Sequence, residues 1–148
     1  MYRWVVLILW FGLWGCSETP DDPYNAYVAG DFGTAKRLLR PLAEVGDPKA
    51  LTYLGAICQI EHEYTEAARF YLEAARQNYA PGQYNLGVML HRGNGVPPNL
   101  IEAYGWLYLA LEQGHDKAQD EIYNMTGELT PNQTMKAKAW VREQVKRF

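Results

Sequence analysis

The side chains best suited to chemistry in this chain are three histidines and one internal cysteine: His62, His91, His115 and Cys58. Imidazole and thiolate together could hold a metal or form a base–nucleophile pair. Their spacing supports neither. The histidines share no metal-ligand spacing with one another or with Cys58, and two of them fall in or beside expected turns. No His-Glu-x-x-His, nucleophile elbow or phosphate loop occurs. Gly93-Asn94-Gly95 is superficially similar to a glycine-rich phosphate cradle, but it lacks the preceding strand and the lysine. Glu61, Glu63 and Glu66 cluster at a helix start, where they oppose the helix dipole favourably rather than pair for acid–base work. Cys58 lies in the apolar run Leu54-Gly55-Ala56-Ile57-Cys58 and reads as a small buried thiol. Asn124-Met125-Thr126 and Asn132-Gln133-Thr134 match the glycosylation sequon. No reacting group is left to back, so the expectation is a protein that is not an enzyme and needs no cofactor or metal.

The elements that must carry these residues follow one repeated register. Ala35, Leu42, Ala43, Gly46 and Ala50 recur as Ala67, Ala74, Ala75, Asn78 and Gly82, and again as Ala103, Ala110, Leu111, Gly114 and Ala118. A repeat of this length marks a helical solenoid, in which each unit buries its apolar face only against its neighbours. That moves the expected function from chemistry to binding. Caps and stops divide the chain from Asp22 onward into helices over roughly 22–30, 33–45, 48–59, 64–77, 80–91, 99–113, 116–124 and 131–147. Asp22-Pro23 and Asp47-Pro48 each set an N-cap before a first-turn proline. Thr130-Pro131-Asn132-Gln133 adds a capping box, and Asn99 to Glu102 has a broad form of it. Gly30, Gly46 and Gly114 supply left-handed stops. Gly55 and Gly87 each follow a leucine at one register. Glycine costs about 1 kcal/mol inside a helix, so its recurrence implies a neighbouring helix at close approach.

Composition narrows the partners. The chain has 148 residues, 21% charged, with a formal net charge of −3. That is one domain's worth of core, and without a domain-wide basic face it excludes nucleic acid. Aromatic residues reach 14%.

The first residues stand apart. Met1-Tyr2-Arg3 is a short positive start, and Trp4 to Trp14 is apolar. That run is too short to span about 30 Å of hydrocarbon but suits the centre of a secretory signal. Leu13-Trp14-Gly15-Cys16 resembles a bacterial lipobox. The resemblance implies a signal peptide over 1–15, a lipid on Cys16 and a polar tether over 16–22, before a helical domain over 23–148. With Cys16 acylated, Cys58 has no disulfide partner. Ser17 in place of Asp implies the outer membrane, with the protein anchored in the bacterial cell envelope and facing the periplasm.

The block from Gly87 through Gly93-Asn94-Gly95-Val96 to Asn99, followed by Glu102-Ala103 and Trp106, resembles the Sel-one-like repeat. That family is a subclass of tetratricopeptide-type repeats, and the resemblance covers roughly residues 24–145. It implies an all-α fold: a short right-handed α-solenoid of antiparallel helix pairs with a C-terminal capping helix. Two departures stand out. The Leu54-Gly55 unit lacks the Gly-Val loop, and Ile122-Tyr123 replaces the third Leu-Gly. Family geometry implies a binding face on the first helix of each pair. Carried over, its positions are Thr52, Tyr53, Ala56 and Gln59, then Tyr84, Asn85, Val88 and His91. The implied function is a scaffold that docks a protein partner of the cell envelope. The alternative is an accessory or inhibitory factor for an envelope enzyme or a polysaccharide-handling system.

Overall fold

The computed structural model describes residues 22–148; the signal, Cys16 and most of the tether read above lie outside them. Eight helices follow in order: α1 Pro23–Val28, α2 Phe32–Glu44, α3 Pro48–Ile60, α4 Tyr64–Arg76, α5 Ala80–Arg92, α6 Leu100–Glu112, α7 Lys117–Met125 and α8 Pro131–Val145. No strand occurs among the described residues. The starts obey local chemistry. Asp22 accepts from the amides of Tyr24 and Asn25, and Asp47 from that of Ala50. Thr130 and Gln133 close a reciprocal capping box. The stops obey the register: Gly46, Asn78 and Gly114 all take positive φ, at 84°, 57° and 83°. Asn replaces glycine in the middle copy because it tolerates the left-handed region better than other side chains do.

Each helix packs on the next through α7, and the first helices of successive pairs, α3 with α5 and α5 with α7, also touch. The alanine register lies at these contacts. Ala35, Ala67 and Ala103 are fully buried, as are Ala50 and Ala118. The interior glycines do what their recurrence implied. A Cβ at Gly55 would come within 2.7 Å of the Tyr71 ring, and one at Gly87 within 2.7 Å of Leu107 Cγ. Tyr71 and Leu107 each stand four residues after a register alanine, so the two contacts are one contact repeated. Leu42 departs from its copies. It is 38% exposed, because α2 packs only on α1 and α3 and has no earlier pair beside it.

The end of the array is closed by α8, which folds back on α6. Trp140 lands on Gly105, whose missing side chain makes room for the indole, and packs edge-on to Trp106 at 5.0 Å. Ala137 and Val141 complete the buried stripe.

Candidate functional site

Residues along α3 present one face to a cleft. Asp47 and Pro48 fix where α3 begins, so Lys49, Thr52, Tyr53 and Ala56 fall three or four apart on one side of the helix. Opposite them stand Tyr27 of α1, and Tyr79 and Pro81 at the start of α5. Together they enclose about 290 Å³. Tyr53 is the centre of an aromatic cluster. Its ring lies edge-on to Tyr24 and to Tyr27, with centroids 4.9 Å apart in each case. Lys49 Nζ sits 3.6 Å above the Tyr24 ring, a cation–π contact that holds the ammonium at the cleft. Burial raises the pKa of the Tyr24 and Tyr79 phenols, with Asp47 adding to the shift. They therefore stay protonated at neutral pH and remain hydrogen-bond donors. The cleft offers flat apolar area, phenolic donors and one cation, which suits an extended peptide with an acceptor or acidic group.

The eight family-implied positions divide into two groups. Tyr53, Ala56 and Thr52 line the cleft. Thr52 forms wall rather than handle: it is 8% exposed, and its hydroxyl donates back to the Pro48 carbonyl at 2.8 Å. Gln59 faces α4, accepting from the Tyr71 hydroxyl at 3.0 Å. Val88 is buried. Tyr84 stacks on His115 at 4.4 Å, and Asn85 is half-buried. His91 ties α5 to the end of the array: its Nε2 lies 3.1 Å from Glu128 and its Nδ1 3.9 Å from Glu121. Residue spacing on one helix did not reveal Tyr24, Tyr27, Lys49 and Tyr79. The available signal was the three-residue spacing of Tyr24 and Tyr27 on α1 and the four-residue spacing of Lys49 and Tyr53 on α3.

The candidates for chemistry are accounted for by packing. The Cys58 thiol is 5% exposed, and burial together with Glu63 pushes its pKa up to about 11. It is therefore not a thiolate at neutral pH. Gly93 and Asn94 both donate their amides to the Met89 carbonyl, so those donors are spent inside the loop and cannot cradle a phosphate. Gly95 takes φ 72° and presses on the Tyr64–Thr65 backbone. Among the described residues no three His, Cys, Asp or Glu side chains are grouped to hold a metal, and no helix is long and apolar enough to cross a membrane.

Stacked helix pairs with a repeating alanine register define a tetratricopeptide-type α-solenoid. Within that class the chain is a Sel1-repeat protein: the Sel1 repeat family model matches residues 48–79 and 80–115. Two solved structures share the fold. A protective antigen of uropathogenic Escherichia coli with an SLR fold superposes at a TM-score of 0.77 and 23% identity, over 85% of this chain and 29% of its own. A Sel1 repeat protein from Oxalobacter formigenes superposes at 0.64 and 26% identity, over 85% and 54%. Among curated proteins, a chitin synthase regulator of Malassezia restricta, SKT5, is 35% identical over 63 residues, which is 43% of this chain and 4% of that protein. A putative β-lactamase of Helicobacter pylori, HcpC, is 39% identical over 54 residues, or 36% and 19%. The chain thus matches only a small part of each curated relative's length.

Proposed function

We propose that this chain is a non-catalytic interaction scaffold that holds a protein partner in the tyrosine cleft of α1, α3 and α5. The observation that carries the reading is the convergence of three helices on one open cleft lined by Tyr27, Tyr53, Tyr79 and Lys49. Such a surface recognises shape and hydrogen-bond acceptors without a reacting group. The sequence supports the same direction. Ser17 is the only serine in the chain, so residues 22–148 hold no nucleophile for serine acylation, one route to β-lactam hydrolysis. The lipobox-like segment extends the proposal: Cys16 carries a lipid that anchors the scaffold to the outer membrane, facing the periplasm.

The test is a pull-down from membranes. The variant Tyr53→Ala should lose the wild-type partner at least tenfold, since truncating a central aromatic anchor typically costs about 2 kcal/mol or more. Partners retained at unchanged affinity would show the cleft assignment to be wrong. In cells grown with labelled palmitate, the wild type should take up label and Cys16→Ser should not; equal labelling of the two would count against the anchor. A second reading has support in the likeness to a chitin synthase regulator: the partner is an envelope enzyme whose rate this chain alters. It requires that the captured partner have an activity that changes when the cleft is filled.

A further inference from the structure

The last helix carries a charge opposite to the rest of the chain. Residues 131–148 contain five cations (Lys136, Lys138, Arg142, Lys146 and Arg147) and one carboxylate, Glu143. That is +4 in a chain of formal charge −3, so the remainder carries −7. Glu143 is occupied by Lys146 at 2.7 Å. Lys136, Lys138, Arg142 and Arg147 have no ion-pair partner among the described residues. All four are exposed.

Apolar side chains lie on this helix and, in Phe148, three residues beyond its end. Met135, Val145 and Phe148 are 67%, 57% and 46% exposed. Positions 135, 138, 142 and 145 recur at helical spacing, so Met135, Lys138, Arg142 and Val145 form one outward stripe. The stripe next to it, Ala137 and Val141, is buried. Beside the outward stripe, α6 and α8 leave a cavity of about 260 Å³ lined by Tyr108, Lys138, Val141 and Arg142. Two cations without carboxylate partners thus border one recess. Glu112, one turn beyond Tyr108 on α6, is the carboxylate at this edge; it raises the pKa of the Tyr108 phenol, which keeps its proton.

We propose that the outer face of α8 docks on an anionic phospholipid surface, with a phosphate headgroup entering the α6–α8 cavity between Lys138 and Arg142. Unpaired cations near a bilayer are attracted to anionic headgroups at about 1 kcal/mol each, and exposed apolar side chains beside them gain burial at the headgroup–acyl boundary. The cations meet the headgroups while Met135, Val145 and Phe148 enter the acyl boundary. An acidic protein partner would use the cations but leaves those three side chains without a role. The inference stands apart from the tyrosine cleft and from Cys16, which belongs to the other end of the chain.

The experiment is co-sedimentation of the full chain with phosphatidylcholine vesicles, with and without phosphatidylglycerol. The apolar segment at residues 4–14 contributes to both, so the readout is the ratio of the two affinities. Wild type should prefer phosphatidylglycerol vesicles, and the preference should fall with added salt. Lys138→Gln plus Arg142→Gln should reduce the ratio about 30-fold, at roughly fivefold per surface cation. Arg37→Gln plus Arg76→Gln removes the same charge elsewhere and should leave the ratio unchanged. Circular dichroism checks that both variants stay helical. Equal binding to both vesicle types would overturn the proposal, as would equal losses in the two double variants. Binding of polyglutamate or inorganic phosphate without phosphatidylglycerol preference would also overturn it, assigning the face to an acidic protein or a free anion instead.

Discussion

Tyr71→Ala is expected to lower the melting temperature by about 10–20 °C. The ring is 1% exposed, and it fills the space that Gly55 leaves open on α3. Truncating a buried aromatic costs about 3–5 kcal/mol. Against a total stability of roughly 5–15 kcal/mol for a domain, that is a large fraction, and the conversion to temperature follows from the entropy of unfolding. Tyr71→Phe should cost only about 1 kcal/mol, since it loses the hydroxyl that donates to Gln59 at 3.0 Å. Thermal denaturation followed by circular dichroism reads both. If the alanine variant melted within a few degrees of wild type, the α3–α4 contact would not be the packing unit described. The consequence extends to function, because α3 carries Lys49 and Tyr53. Loosening α4 on α3 should weaken partner capture at temperatures well below the melting point.

The second large effect is expected at Gly95→Ala, at about 2–4 kcal/mol. Two costs add there. Gly95 takes φ 72°, a left-handed conformation that costs an alanine about 1–2 kcal/mol. A Cβ would also overlap the carbonyl of Tyr64 and the amide of Thr65. Those are backbone atoms at the start of α4, so relief requires shifting the helix rather than a rotamer. Gly114→Ala is the paired control. It has φ 83° but nothing within 4 Å of its Cβ, so it should lose only the conformational part, about 1–2 kcal/mol. Chemical denaturation of the two variants separates contact from conformation. Equal losses would mean that the Gly-Val loop rests on α4 without supporting it.

The helices and their order were legible because their signals are local. Asp-Pro caps, the Thr130–Gln133 box and the left-handed stops act within one turn, and the register alanines are repeated. The need for a close neighbour at Gly55 and Gly87 was legible from glycine's cost inside a helix. What filled the space was not, because Tyr71 and Leu107 belong to the next helix. The docking of α8 was legible only in outline: a capping helix was expected, but nothing near Trp140 points to Gly105. The site shows the same boundary. Tyr53 was reached by carrying family positions over, while its partners Tyr24, Tyr27 and Tyr79 sit on other helices. Gln59 and His91 share the expected face by register, yet their side chains are taken by Tyr71 and by Glu128. Spacing on one helix places a residue on a face but does not show which neighbour its polar end will meet.

The cleft and the basic end of the array have separable roles. The first is proposed to select a protein, the second to set how the solenoid lies on a charged surface. Cleft variants should therefore change partner capture without changing the vesicle ratio, and variants of Lys138 and Arg142 should do the reverse.

The partner is proposed to bind in the α1–α3–α5 cleft. Photo-cross-linking tests this most directly, with a benzophenone amino acid placed at Tyr53 and, separately, at the exposed Arg37 of α2, in cells that produce the protein. A discrete protein adduct is expected from position 53 that position 37 does not give. No adduct at 53, or the same adducts in equal yield from both positions, would contradict it.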